Sequence, residues 1–285
     1  MEGFLHPSII ARQTEGMGRT VMLAPAAPLA PFVESLGWYA ADLPDGRDRT
    51  LPTGTVQLVV NLDRDELSWY DGGVRHTRGG AGLCPPLARP LEIDTAQQRR
   101  AICVVFRPGG AYPFVGPVDA LDEPVVDLAD LWGPTSLRDR LCAAPTPHAA
   151  LHLLQTELAG RVARAPDRGI AAAAAALHRG LDVRAVSDGL GTTTGNLRRR
   201  FAARVGLAPK RFARVRRLQR LLDAVGPGGD WARAASEVGY FDQAHMVNDF
   251  RALTGLTPTA YRPRSAAERN HVSLRPPPAR RSGPR

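Results

Sequence analysis

The sequence has few cysteines, no long apolar run and a single lysine. Cys84, Cys103 and Cys142 are its three cysteines, and no two of them are close in sequence. An odd number in open spacing argues against a disulfide framework or a zinc module and favours a reducing cytoplasm. No apolar stretch approaches the about 18 residues of a membrane span, and the N-terminus lacks a signal-peptide pattern. We therefore expect a cytoplasmic protein with no membrane partner.

Excess positive charge is confined to the last third of the chain. Residues 1–184 hold 18 arginines against 21 acidic residues, whereas residues 185–285 carry a net charge of +12. A coding bias towards arginine explains why 36 of the 37 basic residues are arginine. It does not explain the asymmetry, because both parts share the bias. The asymmetry predicts a polyanionic partner for the C-terminal part.

Residues 20–110 have the pattern of short β-strands. The segments 53–62 and 101–110 are β-branched and apolar, and residues 67–73 run into an Asp-Gly-Gly turn with a return strand after it. Many short strands with glycine and proline between them are typical of a small barrel or a sandwich. The fold class that we predict is α+β multidomain, with a small cupin-like β-barrel plus helices, then an all-α domain.

Helical signals dominate after the strands. Thr146 and Pro147 begin a helix whose apolar stripe continues towards Arg164, and residues 165–167 end it. This stripe is a candidate surface for pairing with another copy of the chain. We predict three regions: a sensor or dimerisation domain at 1–165, a DNA-binding domain at 166–264, and a disordered basic tail at 265–285, which contains few apolar residues.

An internal repeat organises the C-terminal domain. GLAPKRF at 206–212 recurs as GLTPTAY at 255–261, and Gly191 corresponds to Gly239 upstream. The second copy has one extra residue between this glycine and its phenylalanine. Each copy reads as a short helix, a glycine turn, and a second helix capped by Thr193 or Asp242. A helix over about 209–225 joins the two units. The all-α domain is thus predicted to hold two helix-turn-helix units.

The segments LGTTTGNLRRRFAARVGLAPKRF, RVRRLQRLL and VGYFDQAHMVNDFRALTGLTPTAYR resemble the C-terminal DNA-binding domain of the AraC/XylS transcriptional regulators. The resemblance covers residues 167–263 and implies a seven-helix domain that binds promoters and usually activates transcription through RNA polymerase. LPTGTVQLVVNL, WYDGG, FRPGGAYPFVG and VVDLADLWG resemble, more loosely, a regulator-associated β-barrel domain. Departures from the family pattern are Gly195 and the pair Asn248 and Asp249, and a charged Asp249 is expected to repel phosphate.

Two sets of side chains are candidates for binding. The polar faces of the second helices point to DNA contact, because helix-turn-helix proteins read bases with that helix. The predicted DNA-contacting residues are Thr194, Asn196, Arg198, Arg199, Gln243, His245 and Asn248. Aromatic residues and one arginine in the predicted barrel form a candidate ligand pocket, although such residues are more often core. The predicted ligand-binding residues are Trp38, Tyr39, Trp69, Arg107 and Tyr112.

No catalytic residue, metal ligand or cofactor is predicted. The function that we expect is a sequence-specific transcription factor, not an enzyme, that binds double-stranded promoter DNA and acts on RNA polymerase, with a small-molecule effector and a homodimer as further expectations. The alternatives are a cupin-like barrel enzyme and a DNA-repair fusion with an accessory DNA-binding domain. No metal-ligand cluster and no catalytic cysteine stands out in support of either.

Overall fold

The computed structural model describes residues 18–225 and 229–274. Its N-terminal part is built from antiparallel strands in two sheets, followed by short helices. The strands are β1 Gly18–Leu23, β2 Val33–Ala41, β3 Arg47–Thr50, β4 Gln57–Asn61, β5 Leu67–Asp71, β6 Val74–Arg78, β7 Ala81–Cys84, β8 Leu91–Asp94, β9 Arg100–Phe106, β10 Val126–Asp127 and β11 His271–Ser273. The helices are α1 Tyr112–Val115, α2 Leu128–Trp132, α3 Leu137–Cys142, α4 Pro147–Ala159, α5 Arg168–His178, α6 Val183–Gly189, α7 Thr194–Val205, α8 Pro209–Val225, α9 Trp231–Glu237 and α10 Gln243–Thr254.

The predicted closed barrel is wrong. One sheet has the order β1-β2-β9-β4-β7-β10 and the other β11-β3-β8-β5-β6, and among the described strands no pairing joins the two sheets into a ring. A barrel needs its first and last strands to pair, and β10 has only two residues. The β5–β6 hairpin was predicted correctly, and Gly72 and Gly73 both have positive φ angles, as a tight hairpin turn requires.

Alternation along the central strand β4 divides its side chains between two cores. Leu58 and Val60 face the helices that cover the first sheet, whereas Val59 faces the second sheet. Helix α4 begins at its Thr146 cap as predicted, and Leu151, Leu154 and Leu158 are fully buried against the first sheet. The apolar stripe of α4 is therefore covered within the chain. The idea that this stripe pairs with a second copy is wrong for that reason.

The C-terminal segment returns to the N-terminal sheet. We call residues 264–274 the C-terminal strap. Its strand β11 pairs with β3 and extends the second sheet, and Val272 enters the core of the helical part. The prediction that residues 265–285 form a disordered tail is therefore wrong up to residue 274, while residues 275–285 lie outside the described part. The composition of the whole segment concealed the short run Asn270–Val272, which is buried.

A buried charge cluster fixes the strap. Arg264 donates hydrogen bonds to Asp48 on β3, to Gln98 and to Glu268, and Tyr39 donates to Glu268 at 2.9 Å. Burial alone would raise the pKa of Asp48, but His271, Arg264 and Gln98 outweigh burial and hold this pKa below its usual value. Asp48 is therefore a carboxylate that depends on cations supplied by the strap.

The strap and α8 hold the two parts of the chain together. Gln219 on α8 donates to the carbonyl of Pro52 and to Asn270 Oδ1, both at 2.8 Å. Arg216, one turn earlier, donates to the carbonyl of Thr53 at 3.0 Å. Gly54 (φ +77°) brings the loop at 51–55 close to α8, since a Cβ there would lie 3.3 Å from Val215 Cγ1. These polar contacts are specific in direction and largely shielded from water, so they define one docking geometry.

We expect Arg264→Ala to lower the free energy of unfolding by about 3–5 kcal/mol, because Asp48 and Glu268 would lose the cation that balances their buried charge. The matched control is Arg262→Ala, which removes an exposed arginine two residues away whose hydrogen bonds go to nearby carbonyls. Chemical unfolding of both variants measures the difference. Equal stability of the two would contradict the role given to this cluster.

Candidate nucleic-acid interface

The two predicted helix-turn-helix units are present and share one layout. In the first, α6 leads through Gly191 (φ +62°) to α7; in the second, α9 leads through Gly239 (φ +84°) to α10. The left-handed conformation at each glycine is one that other residues adopt only with strain. The resemblance implied seven helices in this domain. The described residues contain six, followed by a turn in which Tyr261 N donates to Thr257 O.

Each second helix begins at the predicted cap. Thr193 Oγ1 accepts a hydrogen bond from Asn196 N at 3.2 Å, and Asp242 Oδ1 accepts one from His245 N at 2.7 Å. These bonds satisfy N–H groups that have no partner within the helix and so fix the starting residue. The predicted inner faces are also confirmed, since Leu197, Phe201, Val205, Met246, Phe250 and Leu253 are all buried.

The outer faces carry the predicted DNA-contacting residues. Arg198 and Arg199 on α7 are exposed, as is Thr194, and on α10 Gln243, His245 and Asn248 are exposed. Asn196 is half-buried, and its amide donates to Thr192 Oγ1 at 2.9 Å. Its donor group is therefore engaged within the turn. The structure thus gathers these residues on two exposed helix faces, and their contact with DNA stays a prediction.

Asp249 is not on the outer face of α10, which corrects the expectation that it repels phosphate. It is buried and accepts hydrogen bonds from Arg214 Nε at 2.7 Å and from Tyr240 Oη at 3.1 Å. Burial and Asp249 together raise the pKa of Tyr240. Arg217 lies 5.2 Å from the centre of the Tyr240 ring. These contacts attach the linker helix α8 to the second unit.

The arginines of α7 do not all serve the same purpose. Arg200 donates to Asp167, the cap of α5, at 3.1 Å, and Arg204 pairs with the same carboxylate at 2.7 Å. Arg204 also lies 4.7 Å from the centre of the Tyr112 ring. These two arginines therefore hold α7 against α5 and the N-terminal part. Arg198 and Arg199 are instead exposed to solvent.

A cavity of about 150 Å³ lies between the two sheets. Its body is apolar, and its polar end includes three residues of the C-terminal strap, which no sequence signal connected with a pocket. The loop at 51–55, which contacts α8, also lines it. Residues of the apolar body include Val59, Leu67, Cys84, Leu91, Ile93 and Cys103, and those of the polar end include Tyr39, Gln97, Gln98, Arg264, Asn270 and His271.

The predicted ligand set is not brought together. Among its five members only Tyr39 lines the cavity. Its neighbour Trp38 points to the opposite face of β2 and packs into the core, because successive side chains of a strand alternate between its two faces. Trp69 is buried and stacks on His76. Arg107 donates to the carbonyl of Ala30, and Tyr112 contacts Arg204. Burial raises the pKa of Cys84 to about 12, so this thiol at the cavity is protonated at neutral pH.

Within residues 18–225 and 229–274, no group of three or more histidine, cysteine, aspartate or glutamate side chains is placed to hold a metal ion. No helix in the described part of the chain has the length and hydrophobicity needed to span a membrane.

Comparison with known proteins places the helix-turn-helix units in a family. Residues 186–264 match a family described as a helix-turn-helix domain, and residues 21–127 match one described as a domain of unknown function, DUF6597. No curated protein matches the chain. Among solved structures, ToxT from Vibrio cholerae has 10% identity over 76% of this chain and 95% of that chain, with a TM-score of 0.44. Unsaturated fatty acid bound wild-type ToxT has 10% identity over 88% and 96%, with a TM-score of 0.43.

The repeated helix-turn-helix arrangement and the family match define a DNA-binding type of domain. Residues 186–264 match this helix-turn-helix family, which is the kind of domain that the AraC/XylS resemblance implied. The resemblance noted in the sequence is thereby confirmed for this domain. The boundaries proposed at residues 165 and 264 stay predictions.

We expect Arg198→Ala/Arg199→Ala to abolish specific DNA binding with little change in melting temperature, because both side chains are exposed and the inner face is untouched. A bidentate arginine–guanine contact contributes about 1–3 kcal/mol of discrimination. The matched control, Arg75→Ala/Arg78→Ala, removes two charges from the β6 strand and is expected to retain binding. Affinity and melting temperature are measured for both. Unchanged affinity of the first variant would move base reading to α10.

Proposed function

We propose that this protein is a sequence-specific transcription factor that inserts α7 and α10 into successive major grooves of promoter DNA. The observation that carries the proposal is the duplication itself: two helix-turn-helix units are joined by α8, and each ends in a capped 12-residue helix with a buried inner face and an exposed polar outer face. At 1.5 Å per residue the 17-residue α8 is about 25 Å long, which suits two sites about one turn of B-DNA apart.

The proposed DNA contacts are made by exposed residues of both α7 and α10. Arg198 and Arg199 suit guanine edges or phosphates, and Asn248 suits an adenine edge. Gln243 and His245 at the start of α10 are placed where helix-turn-helix proteins contact bases, and Thr194 holds the corresponding place on α7. Asn196 contributes through its carbonyl oxygen or by positioning Thr192, since its amide nitrogen is engaged.

DNA binding by the full chain is expected to weaken steeply with salt. Residues 185–264, which include both outer faces, carry a net charge of +8, and each phosphate neutralised contributes a slope of about −0.9 in log affinity against log salt. A site selected from a random duplex library provides the ligand, and a scrambled duplex provides the control. Affinity that is independent of salt, or equal for both duplexes, would contradict the proposal.

We further propose that a small molecule in the cavity between the sheets controls DNA binding. The cavity is apolar with one polar end, which is the character of many ligand sites. Arg264, Asn270 and the loop at 51–55 line the cavity, and both the strap and this loop contact α8 through Gln219. A ligand that shifts either segment therefore acts on the helix that sets the spacing of α7 and α10. The effect of the ligand on DNA binding is then a coupling free energy between the cavity and the DNA-binding surface.

Two substitutions at Val59, one that fills the cavity and one that enlarges it, test whether the effector binds there. We expect Val59→Phe, which occupies the apolar body, to abolish the rise in melting temperature that an effector produces in the full chain. Val59→Ala enlarges the same space and is expected to keep a measurable rise. A metabolite library screened by thermal unfolding supplies the effector. An effector that stabilises Val59→Phe as strongly as the wild type would place the ligand elsewhere.

The proposal also covers the location of the protein, its contact with RNA polymerase and its dimerisation. The regulator acts in the cytoplasm as an activator that contacts RNA polymerase, and a homodimer would present two DNA-binding domains to repeated half-sites and raise the apparent affinity. The described stripe of α4 is excluded as the dimer surface because it is buried within the chain.

A further inference from the structure

The two helix-turn-helix units differ by one residue, and the structure identifies which one. Thr192 N donates to Ser187 O at 3.0 Å in the first unit, and Tyr240 N donates to Ala235 O at 3.0 Å in the second. The same bond in both turns makes Thr192 and Tyr240 equivalent. The helix cap follows directly at Thr193 in the first unit but only after one further residue in the second. That surplus residue is Phe241.

Phe241 has no counterpart in the first unit and no protein surface to cover it. Its side chain is 90% exposed, more than any other large apolar side chain in the described part of the chain. Tyr240 beside it is buried, with its hydroxyl on Asp249 and its ring 5.2 Å from that of His245. The turn thus directs one aromatic ring into the core and leaves the next in solvent, beside the first turn of α10.

The N-terminal half of α10 is poor in positive charge, and the arginine of this helix, Arg251, is exposed in its last turn. No lysine or arginine occurs from Gln243 to Asn248, whereas the corresponding part of α7 carries Arg198 and Arg199. If α10 enters a major groove with this end, its contacts there come from side chains other than lysine and arginine. The major groove offers one apolar group to such a contact, the 5-methyl of thymine, and phenylalanine is among the side chains that contact it.

We propose that Phe241 contacts the methyl group of a thymine in the half-site bound by α10 and so determines specificity at that position. The inference rests on the proposed function, because it requires α10 to lie in a major groove. Phe241 directly precedes the Asp242 cap, and the N-terminal end of a recognition helix is the end that meets base edges. The first unit, which lacks this residue, has no such preference from its turn.

Replacement of thymine by deoxyuridine removes only the methyl group and so tests the contact directly. The full chain is bound to its selected duplex, and each thymine is replaced in turn. We expect the wild type to lose affinity about fourfold at one position in the α10 half-site, the size expected for one buried methyl group. Phe241→Ala is expected to bind the thymine and deoxyuridine duplexes equally at that position, with an unchanged melting temperature.

Val74→Ala is the matched control, because Val74 is another exposed apolar residue, at 61%, and lies on the β5–β6 hairpin. It is expected to keep the wild-type preference. A wild type that binds its selected site but distinguishes no thymine, or a Phe241→Ala variant that keeps the preference, overturns the inference. So does a variant with unchanged DNA binding that has lost transcription with purified polymerase, because Phe241 would then face the polymerase. A wild type that binds no duplex sequence-specifically contradicts the proposed function itself.

Discussion

The apolar side chains of helix α8 must be shielded from water on several sides of the helix, and the neighbouring helices pack around it to do so. Phe212, Val215, Leu218, Leu221 and Leu222 are buried along it, and it contacts α5, α7, α9 and α10. Five buried apolar side chains on 17 residues leave room for polar contacts at the remaining positions. Those positions hold Arg214, Arg216 and Gln219, whose partners lie in the second unit, the loop at 51–55 and the strap. The polar contacts give α8 one orientation, while the apolar ones supply most of the stability.

This arrangement connects the cavity with the DNA-binding surface through few intermediates. The strap lines the cavity with Arg264, Asn270 and His271, and Asn270 bonds directly to Gln219. A displacement at the polar end of the cavity therefore reaches α8 through a single side chain. Because Arg214 on the same helix holds Asp249 of α10, a rotation of α8 would alter the presentation of the second unit.

Local sequence signals were sufficient to predict the helix-turn-helix units. They were insufficient to predict the features that depend on contacts between residues distant in sequence. Thr193 and Asp242 identified the starts of α7 and α10 because capping involves residues three positions apart. Pro209 likewise marked the start of α8. Asp249 was misjudged because its partner Arg214 is 35 residues earlier and only the fold brings them together. Only Tyr39 of the predicted ligand set lines the cavity, and its neighbour Trp38 faces the opposite side of the same strand. The cavity also depends on the strap, whose strand β11 lies more than 200 residues from β3, with which it pairs.

The position of β11 near the C-terminal end of the sequence also delays the completion of the second sheet during synthesis. Strand β3 leaves the ribosome early, but the strand that covers its edge follows more than 200 residues later. At the usual rate of elongation this is a delay on the order of ten to forty seconds. Throughout that interval the edge of the second sheet is open to pairing with other chains, and Asp48 lacks its arginine. The nascent N-terminal part therefore has the most to gain from a chaperone while the DNA-binding part is still being translated.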